Sequence, residues 1–167
     1  MAKKRAPASK SLTEGTVAQH RRARYDYEVV QRYDAGIVLL GSEIKAIRQG
    51  KANIAEGYAR LQNGELFLHN VHIAEYQSAG QQHTPTRTRK LLLRRAELER
   101  LRRALEEQPR STIIPLRMYL ARGLAKVELG VGVGKRQYDK RQAIAKRESD
   151  RTIARALRQN QRGPAEA

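Results

Sequence analysis

The 167-residue sequence is poor in several residue types and lacks long apolar segments. It contains no cysteine, which excludes a disulfide framework and a thiolate metal site and is compatible with the reducing cytoplasm. Aromatic residues make up 5% of the chain, too few for the broad stacking platform of a four-stranded RNA-recognition sheet. No apolar run could span a bilayer, and the N-terminal residues lack the apolar core of a secretory signal. We therefore expect a cytoplasmic protein without a membrane partner.

Acidic residues are scarce relative to basic ones. The chain has 34 Lys and Arg against 17 Asp and Glu, which gives a formal net charge of +17 and a sequence pI near 10.8. A charge of this size indicates the class of partner and not the fold. Nucleic acid, with its line of phosphates, fits better than an anionic membrane surface or than basicity that serves solubility alone.

The charges and the apolar residues divide the chain into three parts. Residues 1–20 are basic and rich in Ala, Ser and Thr, which predicts a disordered arm. Residues 21–134 hold most of the apolar residues and are predicted to form a single folded domain. Residues 135–167 contain ten Lys or Arg against four acidic residues and form a basic tail.

Most patterns in the folded part are typical of short strands. Apolar and polar residues alternate from Tyr25 to Tyr33, residues 34–36 (Asp-Ala-Gly) suggest a turn, and residues 36–40 form a short apolar run. Asn63-Gly64 and Arg122-Gly123 each predict a tight hairpin between two further strands. Six short strands with tight turns predict a mainly β fold, a small closed or nearly closed antiparallel barrel.

Two helices interrupt the strands. We predict that Ser42 caps a short helix that runs to Arg48, with Ile44 and Ile47 facing the core and Gly50 ending it. A longer helix is predicted over 94–108, because Leu98, Leu101 and Leu105 form one apolar stripe and Pro109 prevents continuation.

Residue patterns of enzymes are sparse. His69 and His72 have i, i+3 spacing, but on a strand these positions point to opposite faces, so we expect no shared metal and no cofactor. The glycine-rich segment 130–134 lacks the Gly-Lys-Ser/Thr ending of a phosphate loop and is predicted to be a flexible exit from the barrel. An RNA-processing or modifying enzyme would need a catalytic cluster that we do not find.

Basic residues mark one candidate surface within the folded part. Lys45 and Arg48 lie on the short helix away from its apolar side, and such a basic face is commonly no more than solvated. The predicted turn at Asp34 and the basic run 87–90 could join them in one positive surface that binds an RNA backbone. The residues alone leave both interpretations open.

The tail carries arginines at helical spacing. Residues Arg147, Arg151, Arg155, Arg158 and Arg162 step by three or four, which places them along one stripe of a helix. Ile144, Ile153 and Leu157 are too few to dock such a helix on a core, and its like charges repel. We therefore expect the tail to be disordered in isolation and helical when phosphates neutralise the stripe. A permanently disordered basic extension is the alternative.

Several motifs occur in an order that resembles the small protein B (SmpB) family. They are the segments 33–39 (YDAGIVL), 41–53 (GSEIKAIRQGKAN), 68–73 (LHNVHI), 85–93 (PTRTRKLLL) and 134–141 (GKRQYDKR). The likeness extends from about Arg21 to the end of the tail. This chain departs from the common family pattern at Thr84, where Asp is frequent, and at Ala145, where Lys is frequent.

The resemblance implies a fold and a function. The fold would be a six-stranded antiparallel barrel related to the oligonucleotide-binding fold, with about three helices. The function would be to bind the tRNA-like domain of transfer-messenger RNA and deliver it to stalled ribosomes for trans-translation, without catalysis. A basic ribosomal or other structural RNA-binding protein is the alternative, and copy number relative to ribosomes would separate the two. We expect a monomer.

The resemblance also implies two sets of site residues. The RNA-binding set is Asp34, Glu43, Lys45, Arg48, Asn70, Arg87, Arg89, Lys90 and Leu92. The tail set, expected in the messenger channel and decoding centre of the ribosome, is Lys135, Arg136, Tyr138, Lys140, Arg141, Lys146, Arg147, Arg151 and Arg155. Tyr138 takes the position at which family members stack an aromatic or His ring on ribosomal RNA.

Overall fold

Strands form most of the folded part of the chain. The computed structural model describes residues 14–76, 82–135 and 137–161, which form nine strands and four helices. The strands are β1 Gly15–Gln19, β2 Tyr27–Ile37, β3 Ala52–Asn53, β4 Tyr58–Gln62, β5 Glu65–His69, β6 His72–Ile73, β7 Arg89–Leu92, β8 Ser111–Ala121 and β9 Leu124–Gly134. The helices are α1 Ala23–Asp26, α2 Gly41–Arg48, α3 Arg95–Glu107 and α4 Gln137–Gln161. These helices are too short or too polar to span a lipid bilayer.

Six of the strands close into a ring. The order β8-β4-β5-β7-β2-β9 returns to β8, and every pairing is antiparallel. β1 adds to the edge of β8 beyond β4, and β3 pairs with β6 separately. The pairing is short at two seams of the ring, where β2 joins β7 through Gly36 and Ile37 and β4 joins β8 through Ala59. The predicted mainly β, six-stranded antiparallel fold is confirmed.

The membership of the ring differs from the sequence-based prediction. Residues 34–36 do not form a turn, because β2 continues through them and pairs Asp34 with Glu128 and Gly36 with Lys126. Ala35 between them is fully buried, and the burial of its side chain in the core keeps this backbone in the sheet. β7 was not predicted because its first residue is an arginine, which a buried strand seldom carries.

The glycine-rich segment is also a strand and not a flexible exit. β9 runs to Gly134 and pairs with β2 along 130–134. A Cβ on Gly130 would lie 3.0 Å from Leu116 Cδ1 and 3.0 Å from Val29 Cγ1. A Cβ on Gly132 would lie 3.2 Å from Tyr27 Cβ. These glycines therefore make room for side chains of the neighbouring strands.

Both predicted hairpins are confirmed. Asn63 and Gly64 have φ values of 50° and 78°, and Arg122 and Gly123 have values of 51° and 76°. Two successive residues with positive φ form the turn that matches the twist of paired strands. The second turn places an arginine in the left-handed region, where asparagine or glycine is the commoner choice.

Helix α2 forms as predicted, but Ser42 does not cap it. Helix α2 begins at Gly41, and the Glu43 carboxylate accepts the backbone N–H of Leu40 at 2.7 Å. The Ser42 hydroxyl is instead hydrogen-bonded to Nδ1 of the buried His83 at 2.9 Å. Gly50, with φ +73°, follows the helix end and donates its N–H to the Ile47 carbonyl.

Helix α3 is confirmed, and its apolar stripe contacts the core. Leu101 is fully buried, and Leu98 and Leu105 pack against the core cluster from either side of it. The centre of that cluster consists of side chains from the ring strands and α2, including Ile47, Leu66, Leu68, Ile113, Met118, Val127 and Leu129.

The two ends of the chain contain regular structure. Residues 15–19, expected in a disordered arm, form β1 and pair with β8, while residues 1–13 lie outside the described part. The tail forms the 25-residue helix α4, and its disorder in the isolated protein stays a prediction. No Gly or Pro interrupts α4, and its length exceeds the roughly 12–15 residues below which an isolated helix is marginal. The chain divides into two compact units, one ending at Gly134 and the other beginning at Lys135.

Candidate nucleic-acid interface

A buried carboxylate organises the basic segment at the start of β7. Glu43, in the first turn of α2, is 0% exposed and accepts hydrogen bonds from two guanidinium groups. Arg89 Nε lies 2.8 Å from Glu43 Oε1, and Arg87 Nε lies 2.8 Å from the same oxygen. The second carboxylate oxygen accepts the Leu40 N–H and an Arg87 Nη. We call Glu43, Arg87 and Arg89 the buried charge cluster.

Arg89 joins three parts of the fold. It is 0% exposed, and its Nη atoms donate to the carbonyls of Val71 at 2.7 Å, Pro85 at 2.8 Å and Arg87 at 3.0 Å. The guanidinium thus has partners on every side, which is what a buried charge requires.

Two of the predicted RNA-binding residues, Glu43 and Arg89, are fully buried in this cluster. Glu43 and Arg89 have no exposed atoms with which to contact RNA directly, so any part they take in binding is through positioning. Arg87 keeps 29% of its side chain exposed and is the only member of the cluster within reach of a partner.

The cluster shifts the pKa of both fully buried groups. Burial alone would raise the pKa of the Glu43 carboxyl, but the hydrogen bonds from Arg87 and Leu40 and the charge of Arg89 lower it below its ordinary value. Burial lowers the pKa of the Arg89 guanidinium, and the Glu43 carboxylate opposes this shift. An arginine pKa begins so high that Arg89 stays charged at neutral pH.

The two basic residues of α2 have different surroundings. Lys45 is exposed, and its Nζ lies 5.5 Å above the ring centroid of Tyr76. Arg48 is half-buried, with an Nη 3.4 Å from the Gly123 carbonyl in the β8–β9 turn. Its Nε is buried and has no hydrogen-bond partner among the described atoms. Lys45 is therefore free to pair with a phosphate, whereas Arg48 is partly committed to the turn.

Asp34 lies on the outer face of the sheet in a polar network that the sequence analysis missed. The Tyr119 hydroxyl donates to Asp34 Oδ1 at 2.9 Å, and the Arg117 guanidinium stacks over the Tyr119 ring at 4.7 Å. Glu128 accepts from Arg117 at 3.1 Å and from Arg32 at 3.2 Å. Burial, the hydrogen bond and the charge of Asp34 raise the pKa of Tyr119.

An alternating pattern could have revealed this network. Residues 117 and 119 occupy outward positions of a predicted strand, and both carry large polar side chains. Their partners on β2 and β9 follow only from the register, which one sequence does not give.

Leu92 lies beside the part of β2 that carries Asp34. Leu92 on β7 is 52% exposed and lies opposite Gly36, two residues from Asp34 on the outer face. A Cβ on Gly36 would lie only 3.5 Å from that of Leu92. The structure thus brings an exposed leucine next to the polar network, where an apolar contact and hydrogen bonds are both available.

The remaining predicted RNA contacts are engaged elsewhere. Lys90, on β7, pairs with the Glu65 carboxylate. Asn70, with φ 54°, donates its side-chain amide to the Glu56 carbonyl at 3.1 Å and fixes the loop before β4. His69 stacks on Tyr58 with ring centroids 5.2 Å apart. Among the described residues, no three His, Asp or Glu side chains are grouped so as to hold a metal ion.

The tail residues lie on or next to α4. Lys135 precedes the helix, Arg136 lies outside the described residues, and the side chains of Tyr138 and Lys140 are likewise outside the described part. Among the side chains of α4 that the structure describes, the exposed basic ones are Arg141, Lys146, Arg147, Arg151 and Arg155. Arg147, Arg151 and Arg155 follow one another at i, i+4 spacing, as predicted, and form what we call the arginine row.

Comparison with known proteins identifies the family. The profile of the SmpB protein family matches residues 17–159, from within β1 almost to the end of α4. The chain belongs to the SmpB family. The match includes both units of the structure, so the ring and the basic helix each belong to the region that defines the SmpB family.

Relatives of similar length share about half of the residues. The SsrA-binding protein of Roseiflexus castenholzii is 51% identical over 89% of this chain and 95% of its own length. The SsrA-binding protein of Thermobifida fusca is 49% identical over 86% of this chain and 89% of its own length. A solved structure, described as "tmRNA-SmpB: a journey to the center of the bacterial ribosome", is 43% identical with a TM-score of 0.60 over 75% of this chain and 92% of its own. The predicted SmpB fold, related to the oligonucleotide-binding fold, is thereby confirmed.

Proposed function

We propose that this chain binds the tRNA-like domain of transfer-messenger RNA and delivers it to ribosomes stalled in translation. The observation that carries the proposal is membership of the SmpB family over both units, since its relatives are SsrA-binding proteins and its solved neighbour joins tmRNA and SmpB in the ribosome. The net charge of +17 supplies the attraction to phosphates that either RNA requires. The chain acts as a non-enzymatic adaptor in the cytoplasm, as a monomer.

The ring supplies the contacts with transfer-messenger RNA. Lys45 offers an exposed ammonium group for a backbone phosphate, and Arg87 offers the exposed part of a guanidinium held in place by Glu43. Leu92 provides an apolar contact beside the hydrogen-bonding groups of Asp34. Because the protein makes these contacts from a rigid sheet and helix, it recognises RNA mainly by shape and charge.

Helix α4 supplies the contacts with the ribosome. The arginine row gives the helix a strip of positive charge, and the structure pairs none of its three arginines with an acidic residue among those it describes. A strip of this kind fits a channel lined by RNA phosphates, as the messenger channel is. The sign of the charge also favours that channel over an apolar docking site.

The test is to identify the RNA that the protein carries. The tagged chain is purified from cells, and the bound RNA is extracted and sequenced, with the Lys45→Ala, Arg87→Ala variant as the matched control. We expect transfer-messenger RNA to be enriched far above its share of total RNA and to decrease in the control. Recovery of ribosomal RNA alone, at one protein per ribosome, would instead identify a structural ribosomal protein.

A further inference from the structure

A basic groove lies between β2 and α3, outside the contacts assigned above. It has a volume of about 440 Å3 and is lined by Gln31, Arg32, Tyr33, Arg100, Arg103, Ala104 and Glu107. Arg32 is paired with Glu128, so the net positive charge of the groove comes from Arg100 and Arg103, which face the carboxylate of Glu107. Its size falls within the range of small-molecule sites and suffices for the phosphate and sugar of a nucleotide.

The arginines from α3 are available to a ligand. Arg100 and Arg103 are exposed, and the structure gives neither of them an ion pair among the residues it describes. Arg102, on another flank of the same helix, is engaged instead by Glu99 at 3.6 Å and Glu106 at 3.7 Å. Glu99 and Glu106 therefore neutralise the flank that carries Arg102, whereas Glu107 is the carboxylate of α3 that lines the groove beside Arg100 and Arg103.

The floor of the groove offers hydrogen-bond donors in a partly desolvated setting. Tyr33 packs against the core, and its hydroxyl donates to Gln31 Oε1 at 2.5 Å, which leaves the amide N–H groups of Gln31 for another acceptor. Burial raises the pKa of Tyr33, the positive charge of Arg100 opposes this shift, and the negative charge of Glu97 adds to it. The charge of Arg100 thus acts on the Tyr33 hydroxyl, and it attracts an anion held beside that hydroxyl.

A local irregularity in β2 borders the groove. The register between β2 and β9 shifts between Val29 and Gln31, which leaves Val30 as an extra residue. Such bulges bend a strand and redirect the side chains that follow, and they occur preferentially beside binding sites. Here the residues that follow the shift are the three of β2 that line the groove.

We propose that this groove binds a backbone phosphate of RNA through Arg100 and Arg103, with Gln31 donating a further hydrogen bond. The inference rests on the proposed function, because it adds a second phosphate contact on the α3 side of the ring. Both transfer-messenger RNA and ribosomal RNA carry this chemistry. A guanidinium pair favours a phosphate, whose oxygens accept paired N–H groups.

The test compares charge-matched variants of the full chain. The groove variant is Arg100→Gln with Arg103→Gln, and the control is Arg95→Gln with Arg102→Gln, which removes the same charge from the same helix away from the groove. A second groove variant, Gln31→Glu, keeps the acceptor for Tyr33 and adds a negative charge beside the arginines. Binding to the tRNA-like RNA fragment and to purified small and large ribosomal subunits is measured between about 50 and 200 mM salt. Thermal unfolding shows that each variant is folded.

We expect a loss of affinity for RNA in the groove variants and not in the control. Each lost phosphate contact lowers the slope of log K against log salt by about 1, so the double variant, which loses one phosphate, should lower it by about 1, while the control keeps the slope of the unmodified protein. Gln31→Glu should weaken the same complex at low salt. If the groove variants bind the RNA fragment more weakly, the groove is assigned to transfer-messenger RNA. If they bind only the ribosomal subunits more weakly, it is assigned to ribosomal RNA.

Two outcomes overturn the inference, and they differ in what else they contradict. If the unmodified protein binds and the groove variants behave like the control with all partners, the groove is no phosphate site although the proposed function stands. If the unmodified protein binds neither the RNA fragment nor the subunits, the proposed function fails and the inference fails with it.

Discussion

The buried charge cluster and the arginine row use the same side chain in opposite ways. In the cluster, Arg87 and Arg89 surround a single carboxylate, and Arg89 has no contact with solvent. In the row, Arg147, Arg151 and Arg155 are exposed on a helix and have no acidic partner in the described part of the chain. Both regions appear as clusters of basic residues in the sequence, yet the first holds the fold together and the second is left for a partner.

The difference shows that a count of basic residues does not measure a binding surface. A buried arginine must find its counter-charge within the protein, because an unpaired ion away from water is very costly. An exposed arginine bears no such cost and remains available to phosphates. Substitutions of the fully buried Glu43 or Arg89 should therefore affect folding, and substitutions in the arginine row should affect association.

The largest effect should come from removal of the tail that carries the arginine row. A chain that ends at Gly134 keeps every strand of the ring, so we expect it to bind the tRNA-like RNA fragment with nearly unchanged affinity and to lose peptide tagging on stalled ribosomes altogether. Filter binding and a reconstituted tagging reaction measure the two properties. Normal tagging by the truncated chain would show that the row has no function on the ribosome.

The next effect should come from the cluster. Glu43→Gln leaves two guanidinium groups without their carboxylate, and breaking a buried pair commonly costs about 3–5 kcal/mol of unfolding free energy. The control is Glu65→Gln, which breaks the exposed pair with Lys90 and should cost less than about 1 kcal/mol. Urea unfolding measures both. Equal midpoints for the two variants would contradict the structural role of the cluster.

The sequence predicted most of the fold because its turns and apolar stripes are local patterns. Asn63-Gly64 and the leucines of α3 depend on neighbours in the chain, and both were predicted correctly. The failures have a different cause. Whether Asp34 lies in a turn, or Arg89 in the core, is decided by the strand or the carboxylate opposite, more than 40 residues away in sequence.

The site residues were predicted well or badly for the same reason. Lys45, Leu92 and the arginine row were predicted and lie exposed, as a contact requires. Glu43 and Arg89 were predicted alongside them but are buried, since hydrophilicity alone does not distinguish a phosphate contact from a satisfied internal charge. Tyr119, which holds Asp34, was missed because nothing in the sequence indicates that the strand of Asp34 lies near the strand of Tyr119.

A smaller effect should come from the network around Asp34, which shares features of both regions. Tyr119→Phe removes the hydroxyl that holds the carboxylate and leaves the ring under Arg117. A single hydrogen bond contributes about 0.5–1.5 kcal/mol, so RNA binding should weaken by less than about tenfold. The same assay on Tyr58→Phe, whose ring lies elsewhere on the sheet, is the control. Equal affinities for both variants would show that Asp34 needs no positioning.

The smallest effect should be the acid sensitivity of the cluster, because burial opposes the hydrogen bonds that lower the Glu43 pKa. With a folded-state pKa below the ordinary value of 4.5, the Glu43 carboxyl stabilises the protein fully above that pH. The contribution is lost as the pH falls through the lowered folded-state pKa. Other carboxyls titrate in the same range, so the informative quantity is the difference in urea midpoint between the unmodified protein and a variant.

That difference should depend on pH in one direction only. Between pH 7 and pH 5 the urea midpoint of the unmodified protein should exceed that of Glu43→Gln by a constant amount. This difference in midpoint should narrow as the pH approaches 3, because protonated Glu43 resembles glutamine. Where Glu43→Gln proves too unstable to measure, Arg87→Gln serves instead, since it keeps the Arg89 pair and removes only the half-exposed partner. A gap that widens in acid would mean that the cluster holds Glu43 protonated, contrary to the arrangement of its two guanidinium groups.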